Sequence, residues 1–390
     1  MQNPTRVLCV IGSMHGGGSE RQTVGLLTRL DRNRFQPLLY TFYREGPLLD
    51  EVPEDVPIFS FWENRRTPRW YWPGRIHRMQ VRHLAGVARN ERVDLILDRT
   101  IHTTLIAAPA SWRAGLPEIP VIVSHPQSDL RTVGRFAGAK RRLLRHAYRR
   151  AARVVAVSSD LRHEAIRCYD LPEQQVVVVR NWIDPRRIDR LAAEAAPAFS
   201  SGLFHVIQVG RLQREKGQRI LIEAVEELVL RRKRTALVAH LVGGGRDERL
   251  LKQLVAQRGL ERHVRFLGRQ ANPLPLIRQA DLFCLPSLFE GMPNALLEAM
   301  ACRTPVLAAD CPTGPREILD GGRFGCLVPP ADPAALADAI EDAMLNHGRW
   351  RERVEAARRH VEEQYGPEQS LALLESLFQE AVASRLARNG

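Results

Sequence analysis

Several features are missing from this 390-residue chain, and each absence removes a class of protein. It has no run of eighteen apolar residues, so no transmembrane helix is expected. No D-x-D triplet occurs and the histidines show no metal-ligand spacing, so neither a carboxylate-held divalent ion nor a zinc site is expected. The six cysteines form no C-x-x-C pair and sit mostly among apolar neighbours, as buried, reduced thiols of a cytoplasmic protein would. The opening MQNPTRVLCVIG enters a strand pattern directly, without the apolar core and cleavage site of a signal peptide. Lysine occurs only at Lys140, Lys216, Lys233 and Lys252, so arginine supplies nearly all the positive charge and part of the basicity reflects that bias.

What the chain does contain is an uneven charge and a regular alternation. Residues 1–200 hold 31 basic and 20 acidic residues, whereas the remainder holds 26 and 24, so the net charge of +13 belongs to the first half. Within it, 131–153 carries nine basic residues and no acidic one, which points to an anionic partner such as a membrane surface, a phosphorylated acceptor or a nucleic acid. Short apolar runs at 6–12, 37–42, 56–61, 93–98, 120–124, 153–157 and 176–179 alternate with helical patterns. A second series follows at 204–209, 237–242, 264–267, 282–285, 305–309 and 326–328. Such alternation predicts parallel sheets, and the two series predict two doubly wound α/β domains, 1–195 and 203–365, with a last helix over 366–390.

Function is concentrated in 281–310, DLFCLPSLFEGMPNALLEAMACRTPVLAAD. A short strand leads through a glycine-containing turn into a helix whose first N–H groups and dipole favour an anion. Pro293 suits the first helical position. Glu290 precedes the helix, and Glu298 follows after seven intervening residues. Leu296, Leu297, Met300 and Ala301 form the core stripe, and Asn294 and Glu298 share a different face. A glutamate on such a face is often merely solvated. Gly12–Glu20 (GSMHGGGSE) forms another strand–helix turn, with a helix predicted from 21 to 30, where glycines let a backbone approach phosphate. It is not a G-x-G-x-x-G dinucleotide fingerprint. After the strand at 204–209, the loop GRLQREKG places Arg211 and Lys216 where two cations can stabilise a leaving diphosphate. His125 stands at the carboxyl end of a strand, and α/β sites form at such ends.

The 281–310 segment resembles the signature of glycosyltransferase family 4, retaining nucleotide-sugar transferases of GT-B fold, in which two Rossmann-like domains face a cleft. The likeness extends over nearly the whole chain through the first glycine turn, the R-x4-K loop and the glutamates seven residues apart. It implies that Glu290 meets the donor sugar and Glu298 its ribose, with Gly291, Met292, Pro293 and Asn294 offering backbone to the diphosphate and sugar. It further implies that Gly17 and Gly18 close over the diphosphate and that His125 contacts the donor sugar. Arg211 and Lys216 would neutralise the leaving group, and Arg269 and Gln270 would line the nucleobase. The family's last helix crosses back to the first domain. Residues 310–319, DCPTGPREIL, resemble a subgroup that uses UDP-linked hexoses or N-acetylhexosamines and extends lipid-diphosphate-linked glycans. The implied reaction needs no metal or other cofactor.

The stretch 140–150 has helical spacing, and Lys140, Arg141, Arg142, Arg145 and Arg149 are expected on a membrane or acceptor face, making the protein peripheral on the inner side of a membrane. A plain solvated helix is the alternative. Trp62, Arg65, Arg66, Arg69, Trp70, Tyr71 and Trp72 form a second basic-aromatic patch, suited to an interface or to core packing. A GT-B epimerase acting on a UDP-sugar is a second reading of the whole. A basic nucleic-acid-binding protein is a third, although no RNA- or DNA-binding motif supports it and no nucleic-acid partner is expected.

Overall fold

The computed structural model describes residues 3–63, 74–131 and 136–389. The chain divides into two compact units, Met1–Asn181 with Glu368–Gly390, and Trp182–Pro367.

Among the described residues, the first unit is built on seven parallel strands: β1 (Thr5–Ile11), β2 (Phe35–Thr41), β3 (Ile58–Ser60), β4 (Leu95–Arg99), β5 (Glu118–Ile122), β6 (Val154–Ala156) and β7 (Val176–Val178). Their order, β3-β2-β1-β4-β5-β6-β7, reverses direction at β1, the arrangement of a doubly wound sheet. Between them run α1 (Gly18–Arg29), α2 (Arg75–Asn90), α3 (Ile101–Ala114), α4 (Pro126–Arg131), α5 (Ala137–Arg150) and α6 (Ser159–Tyr169). Strand residues are buried on both faces, which is why they read as continuous apolar runs rather than alternating ones. Leu8, Val10, Leu38, Tyr40 and Ile96 pack with Leu84, Ala85, Ala107 and Ala110 of α2 and α3 on one side of the sheet.

The second unit carries six parallel strands: β8 (Phe204–Val209), β9 (Leu237–Val242), β10 (Val264–Gly268), β11 (Leu282–Leu285), β12 (Val306–Ala309) and β13 (Cys326–Val328). Their order is β10-β9-β8-β11-β12-β13, the Rossmann order. Its helices are α7 (Pro185–Ala192), α8 (Gln218–Glu226), α9 (Glu248–Gln257), α10 (Leu274–Gln279), α11 (Asn294–Ala301), α12 (Pro315–Ile318), α13 (Pro333–Leu345), α14 (His347–Arg351) and α15 (Val354–Gln364). The fold class expected from the alternation, two Rossmann-like doubly wound domains, is therefore the fold observed. The division falls at Asn181–Trp182 rather than in the Ala- and Ser-rich stretch at 193–202. The reason lies in α7. It packs on α10 and α11, and its Asp189 pairs with Arg358 of α15 at 2.8 Å, so it belongs energetically to the second sheet. The last helix, α16 (Pro367–Asn389), groups with the first unit from Glu368 onward, where Glu375 accepts from Arg34 at 2.7 Å and Phe378 packs edge-on against Phe35.

Candidate functional site

Three strand ends of the second sheet are tied into one loop cluster. The loop after β8 lies under the glycine turn after β9: the Leu212 N–H donates to the Gly244 carbonyl at 3.1 Å, and Asp247 N–H to the Leu212 carbonyl at 3.1 Å. A Cβ on Gly243 would lie 2.0 Å from the Gly210 oxygen, so only glycine allows that approach. On the other side, the Leu288 N–H donates to the Glu215 carbonyl at 2.8 Å. Gly217, at φ +68°, presses so closely on the Pro286 carbonyl that a Cβ would sit 1.8 Å from its oxygen. The loop after β8 is thereby pinned to the loop after β11, one on each side of the strand-order reversal at β8.

This pinning sets the central ion pair. Lys216 Nζ donates to both oxygens of Glu290, at 2.7 and 2.8 Å. Ser287 Oγ gives the carboxylate a third hydrogen bond, donated to Oε1 at 2.7 Å. The Glu290 main-chain carbonyl accepts from the Thr313 hydroxyl, which fixes the backbone beneath the carboxylate. The Glu290 side chain is only 6% exposed, against 23% for Lys216, so the pair is reached from the lysine side. Negative charge at Glu290 is felt nearby: burial first, then that carboxylate, push the Cys311 thiol up to about 12. Gly291, Met292 and Pro293 are buried in the turn, and α11 starts immediately after them. Pro293 is the residue before the first helical turn rather than its first member, with the Leu296 N–H donating to its carbonyl at 3.0 Å. Leu296, Leu297 and Met300 are buried as expected, while Asn294 and Glu298 lie half-buried on the other face of α11.

Arg211 is exposed at the end of β8 and has no ion pair among the described residues; its carbonyl accepts from Gln218 Nε2 at 2.9 Å. Arg269 is exposed and lies across the glycine turn, so that a Cβ on Gly244 would be 3.1 Å from its Nε. Gln270 folds back to the Leu267 carbonyl at 2.7 Å. These side chains, Lys216 and Glu290 all belong to the carboxyl edge of the second sheet. An exposed cation, an ion-paired carboxylate and a helix start are together suited to hold a diphosphate beside a polyhydroxylated group. Among the described residues, no group of three His, Cys, Asp or Glu side chains gathers to hold a metal ion.

On the first unit, Gly17 caps α1 in extended conformation and Gly18 is the first residue of that helix, which begins three residues earlier than the periodicity predicts. Glu20, the third residue of α1, folds back over Gly17, as a glutamate at that position does in a capping box. His125 is 5% exposed, with Nε2 3.7 Å from a Glu164 oxygen. In α5 the arginines Arg141, Arg142, Arg145 and Arg149 are exposed. Lys140 is not with them: it is buried in the stripe Lys140, Leu144, Ala147 and Tyr148 that faces the domain, so it leaves the expected membrane face. Trp62 packs edge-on against Phe61 at 4.8 Å and against the core, whereas Arg65, Arg66, Arg69, Trp70, Tyr71 and Trp72 lie outside the described residues. Ser287 and Thr313 are the site residues the sequence reading omitted; their hydroxyls sit three residues before Glu290 and in the 310–319 segment, so the segments were noticed and the donors were not.

The chain matches the family described as Glycosyltransferase Family 4 over residues 16–187 and Glycosyl transferases group 1 over 204–346. An uncharacterized glycosyltransferase of Methanocaldococcus jannaschii is 36% identical over 30% of this chain and 28% of its own length. The N-acetyl-alpha-D-glucosaminyl L-malate synthase of Bacillus anthracis is 26% identical over 77% of this chain and 78% of its own. The chain spans no more than 55% of the length of the first curated relatives it matches. Among solved structures, HepE of Anabaena in complex with UDP and glucose superposes with a TM-score of 0.78 at 22% identity, covering 97% of this chain and 100% of that one. Each Rossmann-like sheet thus carries its own glycosyltransferase match, and the two sheets together are the GT-B fold.

Proposed function

We propose that the protein is a retaining glycosyltransferase that moves a hexose or N-acetylhexosamine from a UDP-sugar to a glycan or polyprenyl-diphosphate-linked acceptor, without a metal. The observation that carries this reading is the Lys216–Glu290 pair beside the start of α11. A nucleotide diphosphate competes with Glu290 for Lys216, and the carboxylate so released accepts hydrogen bonds from sugar hydroxyls. Arg211 and Lys216 then face the charge that grows on the leaving diphosphate. The sugar C1–O bond to the diphosphate breaks as the acceptor oxygen bonds C1 from the same face, and the departing phosphate oxygen takes the acceptor proton. Glu298 holds the ribose, Arg269 and Gln270 border the base, and the backbone from Gly291 to Asn294 lines the diphosphate and sugar. Gly17, Gly18 and His125 act as auxiliary donor contacts. The subgroup likeness of 310–319 supports UDP, and the exposed arginines of α5 support a cytoplasmic enzyme peripheral to an anionic membrane.

A donor panel tests this. UDP-, GDP- and ADP-sugars are compared by nucleotide release and by ligand-induced thermal shift, with Glu290→Gln as control. A UDP-sugar is expected to stabilise the wild type and to be turned over at least a hundredfold faster than by the variant. Equal release by Glu290→Gln, or no response to any UDP-sugar, overturns the reading.

A further inference from the structure

The carboxyl end of β4 carries a buried positive charge that no ion pair meets among the described residues. Arg99 is the last residue of β4, beside β1 where the strand order of the first sheet reverses, and it is 6% exposed. Its Nη2 donates to Asn181 Oδ1 at 3.0 Å, while its buried Nε meets no acceptor, and no ion pair reaches it among the described residues. Glu20, from the first turn of α1, acts on Arg99 through space without closing an ion pair. Burial lowers the guanidinium to about 10, so it stays charged at neutral pH. A buried cation is ordinarily paired or bound to an anion, because an isolated one is costly.

The backbone next to it is also unusual. Thr100 adopts φ +85°, outside the ordinary range for a β-branched residue, and leads into the 14-residue helix α3 without a side-chain cap. Strain of this kind costs about 1–3 kcal/mol and gathers at ligand sites. The first N–H groups of α3 therefore open at the same strand end as Arg99, at the point where open α/β sheets bind ligands.

We infer that Arg99 and the start of α3 form an anion site for a phosphate or diphosphate group, the phosphoryl portion of the acceptor. The phosphoryl chemistry stands on this geometry alone; its assignment to the acceptor rests on the transferase reading. Guanidinium is suited to the task, since its fork engages two phosphate oxygens at once.

The test uses the full chain saturated with UDP, so that the second unit's site is occupied, and titrates inorganic diphosphate and inorganic phosphate by calorimetry. Diphosphate is expected to bind the wild type, to weaken at least tenfold in Arg99→Gln and to be partly retained in Arg99→Lys. Glu20→Gln, which removes the nearby negative charge, is expected to tighten it. Diphosphate binding unchanged in Arg99→Gln, or absent from the UDP-saturated wild type, overturns the inference. Should Arg99→Gln not fold, Arg99→Lys and Glu20→Gln decide it: unaltered affinity in both counts against the site. Failure of the wild type to bind UDP removes the transferase reading instead, and diphosphate then titrates the Arg99 site without UDP present.

Discussion

Ser287 distinguishes holding a carboxylate from neutralising it. With Lys216 in place, the Glu290 carboxylate accepts three hydrogen bonds; if Lys216 turns to a diphosphate as the proposed function requires, Ser287 Oγ, at 2.7 Å, is the donor left to hold the carboxylate for a sugar. Ser287→Ala is therefore expected to leave the KM for a UDP-sugar within about twofold while lowering kcat about tenfold, equivalent to roughly 1.4 kcal/mol. Lys216→Met is expected to raise the Kd for UDP itself, because it removes the charge that the proposed function sets against the diphosphate. A Ser287→Ala variant that loses UDP affinity as Lys216→Met does would show that the hydroxyl merely supports the loop. The glutamates and the R-x4-K loop stood out in the sequence because their spacing around strand–helix turns resembles a family signature; without that likeness, charged residues there read as solvated surface. The hydroxyls of Ser287 and Thr313 were not, since a short polar side chain in a loop has many local partners and its acceptor is set by the fold. Arg99 was hidden for another reason: in an arginine-rich chain, one more at a strand end carries no signal until its burial is known.

At the scale of elements, strand pattern was the most readable quantity, because strands buried on both faces are continuous apolar runs that end at loops. The helix faces were less so. Lys140 falls in register with Leu144, Ala147 and Tyr148, yet a basic residue among basic residues suggests exposure until the packing of α5 is seen. The junction of β4, β5 and α3 holds a second polar surprise. Asp98 Oδ1 accepts from Thr104 at 2.6 Å and from Thr103 at 3.2 Å, tying the first turn of α3 to the strand. Glu118 of β5 lies beside it, and both carboxyls are buried. Burial pushes Asp98 up to about 6, and burial followed by the Asp98 charge pushes Glu118 well above the usual carboxylate range. Because the folded state holds these protons more tightly than the unfolded chain, the stability these two groups contribute is fully present below the ordinary carboxylate range and is lost as pH rises through the folded values. Glu118→Gln keeps the shape and removes one charge. It is expected to raise the urea midpoint at pH 8 and to flatten the decline that sets in as pH rises above the ordinary glutamate range. A lower midpoint at pH 8 would show that the glutamate is held as a needed anion.

For the whole molecule, charge is the property with the widest reach, and the structure narrows which part of it faces outward. Arg145 and Arg149 of α5 both reach Asp170, while Arg141 and Arg142 have no ion pair among the described residues. Phe136 and Leu143, each 61% exposed, stand beside them, seven residues apart and so on one side of the helix. A concavity of about 450 Å³ lined by Leu130, Ala137, Gly138, Ala139, Arg141 and Arg142 opens next to that edge. Among the described residues no helix is long and apolar enough to cross a membrane. Two unpaired arginines at an anionic surface contribute about 1 kcal/mol each. Replacing both Arg141 and Arg142 by serine is thus expected to weaken binding to phosphatidylglycerol vesicles roughly 30-fold, whereas the Arg145/Arg149 pair, already committed to Asp170, is expected to cost less. Phe136→Ser with Leu143→Ser should weaken what binding survives at high salt, because apolar insertion is not screened while the arginine contribution is. Cosedimentation with phosphatidylglycerol and phosphatidylcholine vesicles across a salt series reads all three. Equal binding by the Arg141/Arg142 double variant and the wild type at low salt would assign the arginine face of α5 to solvent.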